Sequence, residues 1–274
     1  MKMLLNWRQV FPTLVTLSAM MAGFFSILVT LEGMDKPNPG QYHLWAAQLI
    51  MAALILDGLD GNIARLLKGC SAMGAELDTY VDLTAFGLAP AVLIYVVSLQ
   101  GTLLWRVLMT SAVVVSGMMR LARFKVTDPH RGQMGYNGLP ITACAAWVAL
   151  FVFISQSDPP VFANRTRPGG EVSWLQEGPM ATLFLMGVLA FIVLQVSNVR
   201  YPKPSKKAAL FIPSALLVVL LFIPGIKIGR YTTDVYSAVI MILLGIAYIV
   251  FGPFFMKRLS LHQGGALRHA APDG

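Results

Sequence analysis

The chain has 274 residues, of which 56% are hydrophobic and 12% are charged, and its formal net charge is +8 at neutral pH. Its mean hydropathy of +0.67 lies well above that of water-soluble domains, which excludes a soluble globular fold. The positive charge fits loops that lie beside anionic lipid headgroups, and we do not interpret it as nucleic-acid binding.

Apolar runs long enough to cross a bilayer recur along the whole chain. They are continuous and do not alternate with polar residues, so they predict helices and not a barrel. The sequence therefore predicts an all-α, polytopic membrane helix bundle of about eight transmembrane helices. The predicted spans cover residues 11–31, 43–64, 77–99, 103–119, 139–155, 180–198, 209–223 and 235–256.

Lysine and arginine are concentrated in alternate loops between these spans. The basic set contains Lys2, Arg8, Arg65, Lys68, Arg120, Arg123, Lys125, Arg131, Arg200, Lys203, Lys206, Lys207, Lys257, Arg258 and Arg268. The other set contains only Lys36, Arg106, Arg165, Arg167, Lys227 and Arg230. By the positive-inside rule the basic set faces the cytoplasm, which predicts that both termini are cytoplasmic and that the protein resides in the cell membrane.

The stretch LDGLDGNIARLLKGCSAMGAELDTYVD, residues 56–82, holds five of the thirteen acidic residues. It begins near the predicted cytoplasmic end of the second span and passes through a basic turn into the third. Carboxylates in or beside hydrocarbon cost several kcal/mol each unless they are paired, hydrated or bound to a metal. A concentration of acids here therefore requires a functional explanation.

The spacing of the acids indicates how they could be used. Asp57 and Asp60 are three residues apart, and Gly74, Asp78 and Asp82 repeat every four residues, so each set forms a stripe on one helix. Two antiparallel helices joined by a short turn can point these stripes at each other. The result is an all-oxygen site for hard divalent cations such as Mg²⁺ or Mn²⁺, with room for two of them.

Small residues and one arginine accompany the acids. Gly58, Gly61, Ala64 and Gly74 would let a bulky ligand approach the backbone, and the forked guanidinium of Arg65 suits phosphate oxygens. This combination suggests phosphoryl or phosphatidyl transfer. The alternatives are helix packing by the glycines and cation or proton transport by the acids. A transporter, however, would place its acids near the middle of the membrane on discontinuous helices.

The order Asp57-x-x-Asp60-Gly61-x-x-Ala64-Arg65, eight residues, then Gly74-x-x-x-Asp78-x-x-x-Asp82 resembles the complete signature of the CDP-alcohol phosphotransferases. Within that family the chain is most similar to the membrane-bound phosphatidylserine synthases. Further matching stretches are MRLARFKV at 119–126, GLPITA at 138–143 and VSNVRYPKPSKK at 196–207. The resemblance assigns residues 1–210 to the membrane domain, 211–256 to two additional transmembrane helices and 257–274 to a cytoplasmic tail.

The resemblance also implies roles for individual residues. Asp57, Asp60, Asp78 and Asp82 would hold a two-metal centre, and Asp82 would also take the proton from the acceptor hydroxyl. The residues implied to bind the CDP group are Gly61, Arg65, Ser71 and Gly74. The segment FPTLVT at 11–16 resembles the start of the family's first helix, which often reads Pro-Asn where this chain has Pro12 and Thr13.

The implied reaction transfers the phosphatidyl group from CDP-diacylglycerol to the hydroxyl of L-serine and releases CMP at the cytoplasmic face. Arg120 and Arg123 are the candidates for binding the serine carboxylate, although membrane anchoring by basic residues explains each of them equally well. Acceptors left open are glycerol phosphate, inositol phosphate and choline. The resemblance further implies a homodimer formed through membrane helices.

Overall fold

The computed structural model describes residues 7–98, 100–127, 135–156, 165–167, 170–172, 178–202, 215–223, 225–228 and 231–269. The described chain is mostly helical, as predicted. A 3₁₀ turn at Gly33–Asp35 follows the first helix, and a short helical segment covers residues 215–219. The long helices are α1 (Trp7–Glu32), α2 (Pro39–Leu66), α3 (Ala72–Val81), α4 (Ala89–Val97), α5 (Leu103–Thr127), α6 (Ile141–Ser155), α7 (Pro179–Val196) and α8 (Thr233–His269).

Among the described residues, six helical segments are long and apolar enough to cross a membrane, which confirms a polytopic helical protein. They are Trp7–Asp35, Pro39–Leu66, Ala72–Val97, Leu103–Val126, Pro179–Val196 and Thr233–Phe254. The predicted fifth span corresponds to α6, whose 15 residues reach only about 22 Å, against a hydrocarbon thickness of about 30 Å. Residues 209–214 of the predicted seventh span lie outside the described residues, and only 215–219 of the remainder are helical. Lys2, Arg131, Lys203, Lys206 and Lys207 of the basic loops also lie outside the described residues. The count of eight stays a prediction.

Small residues allow the first helices to pack closely. Ala19 of α1 and Ala46 of α2 are fully buried, and the Ser26 hydroxyl donates to the Ala46 carbonyl oxygen at 2.9 Å. Close approach of small residues is the usual basis of helix association in membranes, where lipid is as apolar as the helix surface. The α1–α2 hairpin thereby holds the end of α2 that carries the acidic motif against the start of α1.

The third span is interrupted by a π-helical segment, Asp82–Leu88, which joins α3 to α4. Each extra residue in a helical turn rotates the following side chains by about 100° relative to a regular α-helix. Asp82 is the first residue of this segment, and its N–H still donates to the Asp78 carbonyl oxygen, so Asp82 keeps the four-residue spacing of α3 and the rotation affects the residues that follow it. Segments of this kind occur frequently at functional sites.

In the described part of the chain, three short antiparallel ribbons connect the helices, and they were not predicted. β1 (Gly135–Asn137) pairs with β4 (Arg200–Pro202), β2 (Arg165–Arg167) with β3 (Gly170–Val172), and β5 (Lys227–Ile228) with β6 (Tyr231–Thr232). The β1–β4 ribbon joins the loops that follow α5 and α7, and its register places Tyr136 opposite Tyr201. It therefore lies at the end of α5 that carries Arg120 and Arg123.

Candidate active site

The turn between α2 and α3 fixes the two acidic stripes relative to each other. Lys68 adopts a left-handed conformation with φ of 52°, and the Gly69 N–H donates to the Ala64 carbonyl oxygen at 2.9 Å. Gly69 lies directly against the backbone of Arg8, so no side chain fits there. The Ser71 hydroxyl then accepts a hydrogen bond from the Gly74 N–H at 3.0 Å and caps the start of α3.

Three of the four predicted acidic ligands converge across this turn. One carboxylate oxygen from each of Asp57, Asp60 and Asp78 lies within 4.8 Å of the other two. Asp82 is described but is not one of these three, although it follows Asp78 by one regular helical turn. Its charge nevertheless repels that of Asp57 and is attracted by the guanidinium of Arg120. The structure thus places a three-carboxylate cluster beside a fourth carboxylate that faces an arginine.

The chemistry of the cluster fits a divalent cation. Asp57 Oδ1 is buried and has no hydrogen-bond partner among the described residues, while Asp60 is only 4% exposed. Buried like charges repel each other unless a cation or a proton compensates them. Oxygens separated by up to 4.8 Å can share one ion, because metal–oxygen distances are about 2.0–2.6 Å and opposite ligands lie at twice that. An all-oxygen donor set selects hard cations.

Thr16 of α1 joins the cluster and was not predicted. Its hydroxyl makes a short contact with Asp60 Oδ2 and lies 3.0 Å from the Pro12 carbonyl oxygen. A hydroxyl has a single proton, and bonds to charged acceptors are the stronger ones, so we assign the proton to Asp60. Thr13, in contrast, donates to the Gln9 carbonyl oxygen of its own helix at 2.8 Å. One feature of the sequence pointed to Thr16. This residue is the last of the FPTLVT segment, which resembles the start of the family's first helix.

The surface next to the cluster is open and carries an arginine. Arg65 is exposed, and its Nη2 donates to Asn62 Oδ1 at 2.6 Å, while Asn62 Nδ2 donates to the Gly58 carbonyl oxygen at 2.7 Å. A Cβ atom added at Gly61 would meet no described atom within 4 Å. Asn62, which was not among the predicted site residues, therefore orients Arg65 beside open space that a ligand can occupy.

Glu76, the fifth acid of the motif stretch, points away from the cluster. Its carboxylate forms an ion pair with Lys125 Nζ at 2.5 Å, and both side chains are substantially exposed. An exposed pair of this kind contributes little to stability. Glu76 thus provides a natural comparison for the clustered acids.

The two candidate acceptor-binding arginines lie in different environments. Arg120 is 6% exposed, its guanidinium carbon lies 5.4 Å from the centre of the Phe124 ring, and its positive charge attracts that of Asp82. The terminal nitrogens of Arg123 instead donate to oxygens at the end of α7 and in β1. These acceptors are the carbonyl oxygens of Asn137 (3.4 Å), Gln195 (2.9 Å), Val196 (2.7 Å) and Ser197 (2.7 Å), and Asn198 Oδ1 (3.2 Å). Arg123 therefore satisfies carbonyls that a helix end leaves unpaired.

A family model described as CDP-alcohol phosphatidyltransferase matches residues 9–251. The chain belongs to this family. Membership confirms the resemblance drawn from the acidic motif, and it identifies the chain as a membrane transferase, not a cation or proton transporter.

Several proteins that are similar to this chain have names that state an activity. The CDP-diacylglycerol–serine O-phosphatidyltransferase of Helicobacter pylori is 32% identical over 224 residues, which cover 80% of this chain and 84% of the relative. The protein of the same name from Saccharomyces cerevisiae is 37% identical over 134 residues, 46% of this chain and 48% of the relative. An archaetidylserine synthase from Methanothermobacter thermautotrophicus is 26% identical over 194 residues, 70% of this chain and 69% of the relative.

Proposed function

We propose that the protein transfers the phosphatidyl group from CDP-diacylglycerol to the hydroxyl of L-serine, giving phosphatidylserine and CMP. The observation that carries the proposal is the Asp57–Asp60–Asp78 cluster, which lies beside Asp82 and the buried Arg120. The relatives support serine as the acceptor, because the bacterial, yeast and archaeal proteins all have names that include it.

On the donor side, Asp57, Asp60 and Asp78 would hold a divalent cation, and Asp82 would complete a site for a second. A bound Mg²⁺ or Mn²⁺ supplies neutralising charge for the diphosphate oxygens. Arg65 pairs with the same diphosphate, and Gly61 leaves the space that the donor occupies. In our proposal Gly74 and Ser71 contact the CDP group. The Ser71 hydroxyl also caps the start of α3.

On the acceptor side, Asp82 accepts the proton of the serine hydroxyl as its oxygen attacks the phosphorus that carries diacylglycerol. The bond between that phosphorus and the diphosphate bridging oxygen breaks, and CMP leaves with the electron pair. Arg120 binds the serine carboxylate, which brings the hydroxyl next to Asp82. Arg123, the second candidate for this role, contributes by holding the chain around Arg120, since its terminal nitrogens already donate to five oxygens.

For the topology, we propose eight spans with both termini in the cytoplasm of the cell, and an active site at the cytoplasmic face. The distribution of basic residues over alternate loops supports this orientation. We retain the division into a membrane domain at 1–210, two further helices at 211–256 and a tail at 257–274. A homodimer formed through membrane helices completes the proposal.

The test is an acceptor screen on the purified full chain with CDP-diacylglycerol and Mn²⁺, following CMP release and the lipid product for each alcohol. Asp82→Asn is the variant, and Glu76→Gln is the matched control because Glu76 lies on the same helix but outside the cluster. Product with serine alone, lost in Asp82→Asn and kept in Glu76→Gln, supports the proposal. Product only with glycerol phosphate, inositol phosphate or choline overturns the serine assignment. CMP release without any alcohol would overturn the transfer reaction itself.

A further inference from the structure

The last helix holds the β1–β4 ribbon in place. Tyr201 of β4 is 1% exposed, its ring centroid lies 5.7 Å from that of Tyr248 in α8, and the Tyr248 hydroxyl donates to the Pro202 carbonyl oxygen at 2.9 Å. A Cβ atom at Gly252 would lie 3.1 Å from Tyr201 Cδ1 and 3.2 Å from Pro202 Cδ. The backbone of α8 therefore approaches β4 more closely than a larger residue would allow.

The ribbon is in turn tied to α5. The Gly138 N–H, just after β1, donates to the Val199 carbonyl oxygen at 2.8 Å, which extends the pairing with β4. Gly138 has φ of 79°, and a Cβ atom there would lie 2.6 Å from Arg123 Nη2. Arg123 donates to Asn137 on one side of the ribbon and to Ser197 before the other. The ribbon and the end of α5 thus form one hydrogen-bonded block.

Arg120 lies one helical turn before Arg123 on α5 and is 6% exposed, and α5 packs against the π-helical segment that begins with Asp82. A shift of the block would move Arg120 relative to Asp82. We infer that α8 is part of the acceptor half of the active site, and that Tyr248 and Gly252 are positioning residues that hold the β1–β4 ribbon and, through Arg123, the turn that carries Arg120. This inference rests on the proposed function, because it deepens the role given there to Arg120.

The contacts of α8 indicate why a substitution in this helix should affect acceptor binding more than donor binding. Within the described residues α8 packs chiefly on α6 and β4, whereas the Asp/Gly/Arg motif lies on α2 and α3. A change at Tyr248 or Gly252 therefore reaches the site first through the ribbon and Arg123. The prediction is a selective loss of acceptor binding with donor binding retained.

The experiment compares Tyr248→Phe and Gly252→Val with Tyr236→Phe and Gly245→Val in the purified full chain. The controls lie on the same helix; Tyr236 is 40% exposed, and a Cβ atom at Gly245 would meet no described atom within 4 Å. We expect Tyr248→Phe to raise the KM for the acceptor about three- to tenfold, as the loss of one hydrogen bond allows. Gly252→Val should raise it at least as much, because the added side chain crowds Tyr201 and Pro202. The KM for CDP-diacylglycerol and the affinity for CDP should stay within about twofold, as should every constant of the controls.

Parallel increases in both KM values, or variants that behave as their controls do, would overturn the inference. If Gly252→Val does not fold, Tyr248→Phe decides the matter alone, since it removes one hydroxyl and changes no volume in the core. A wild-type chain that uses another alcohol overturns the proposed serine reaction only. In that case the KM for the alcohol that the chain does use and the KM for CDP-diacylglycerol are measured in the same variants. A wrong serine assignment and a wrong role for α8 therefore give different results.

Discussion

Replacement of Thr16 by valine removes the hydroxyl that bonds to the Asp60 carboxylate and nearly preserves the shape of the side chain. The Thr16 side chain is 5% exposed and Asp60 is 4% exposed, so water cannot readily replace the hydroxyl. A hydrogen bond to a charged group contributes about 1.5–3 kcal/mol, which corresponds to a factor of about 10 to 150 in an equilibrium constant. Groups that orient metal ligands typically change metal affinity about 10- to 100-fold, which is the same range. We therefore expect Mn²⁺ affinity to fall at least about tenfold.

The assay is the titration of Mn²⁺ into the purified chain, with free ion followed by electron paramagnetic resonance, so the result does not depend on turnover. Thr13→Val is the control on the same helix, because the Thr13 hydroxyl bonds to the Gln9 carbonyl oxygen and not to an acid. Thr16→Ser keeps the hydroxyl and should restore most of the affinity. Wild-type Mn²⁺ affinity in Thr16→Val would refute the role of this hydroxyl in orienting Asp60.

The remaining predictions concern the same site. Asp57→Asn should lower Mn²⁺ affinity by more than the about 10- to 100-fold expected for a group that only orients a ligand; an unchanged titration would exclude Asp57 as a ligand. Chelation with EDTA should abolish CMP release without unfolding the chain, and Mg²⁺ or Mn²⁺ should restore it; activity that survives exhaustive chelation would contradict the metal assignment. Arg120→Lys should raise the KM for serine about tenfold with the KM for CDP-diacylglycerol unchanged, because lysine cannot form the two-pronged bond to a carboxylate; equal effects on both substrates would remove Arg120 from the acceptor site. Washed enzyme incubated with labelled CDP-diacylglycerol in the absence of serine should carry no covalent lipid, and its detection would replace single-step displacement with a two-step mechanism.

The acidic motif that we assign to the donor could be recognised in the sequence because its residues are close together in the chain and follow helical spacing. Asp57 and Asp60 on α2 and Asp78 on α3 converge as their three- and four-residue spacing predicted. Asp82 keeps that spacing, since its N–H donates to the Asp78 carbonyl oxygen, but the π-helical segment that begins there was not predicted because regular spacing gives no sign of it. The Thr16–Asp60 bond joins residues 44 positions apart, so it depends on how α1 packs against α2. The three-residue strands were missed because two-residue alternation cannot be recognised over so short a length.

The acceptor half of the site was harder to predict for a related physical reason. Arg120 and Arg123 have the same side chain and lie one turn apart, yet the first faces Asp82 and the second binds carbonyl oxygens of residues 72–74 positions away. Their roles differ because of segments that meet only in the folded chain, namely the end of α7, the β1–β4 ribbon and, in our inference, α8. A donor site built within one hairpin and an acceptor site assembled from distant segments can change independently. In our proposal the packing around Arg120 decides the acceptor alcohol, and substitutions at Tyr248 and Gly252 test that packing without altering any group that we assign to the donor.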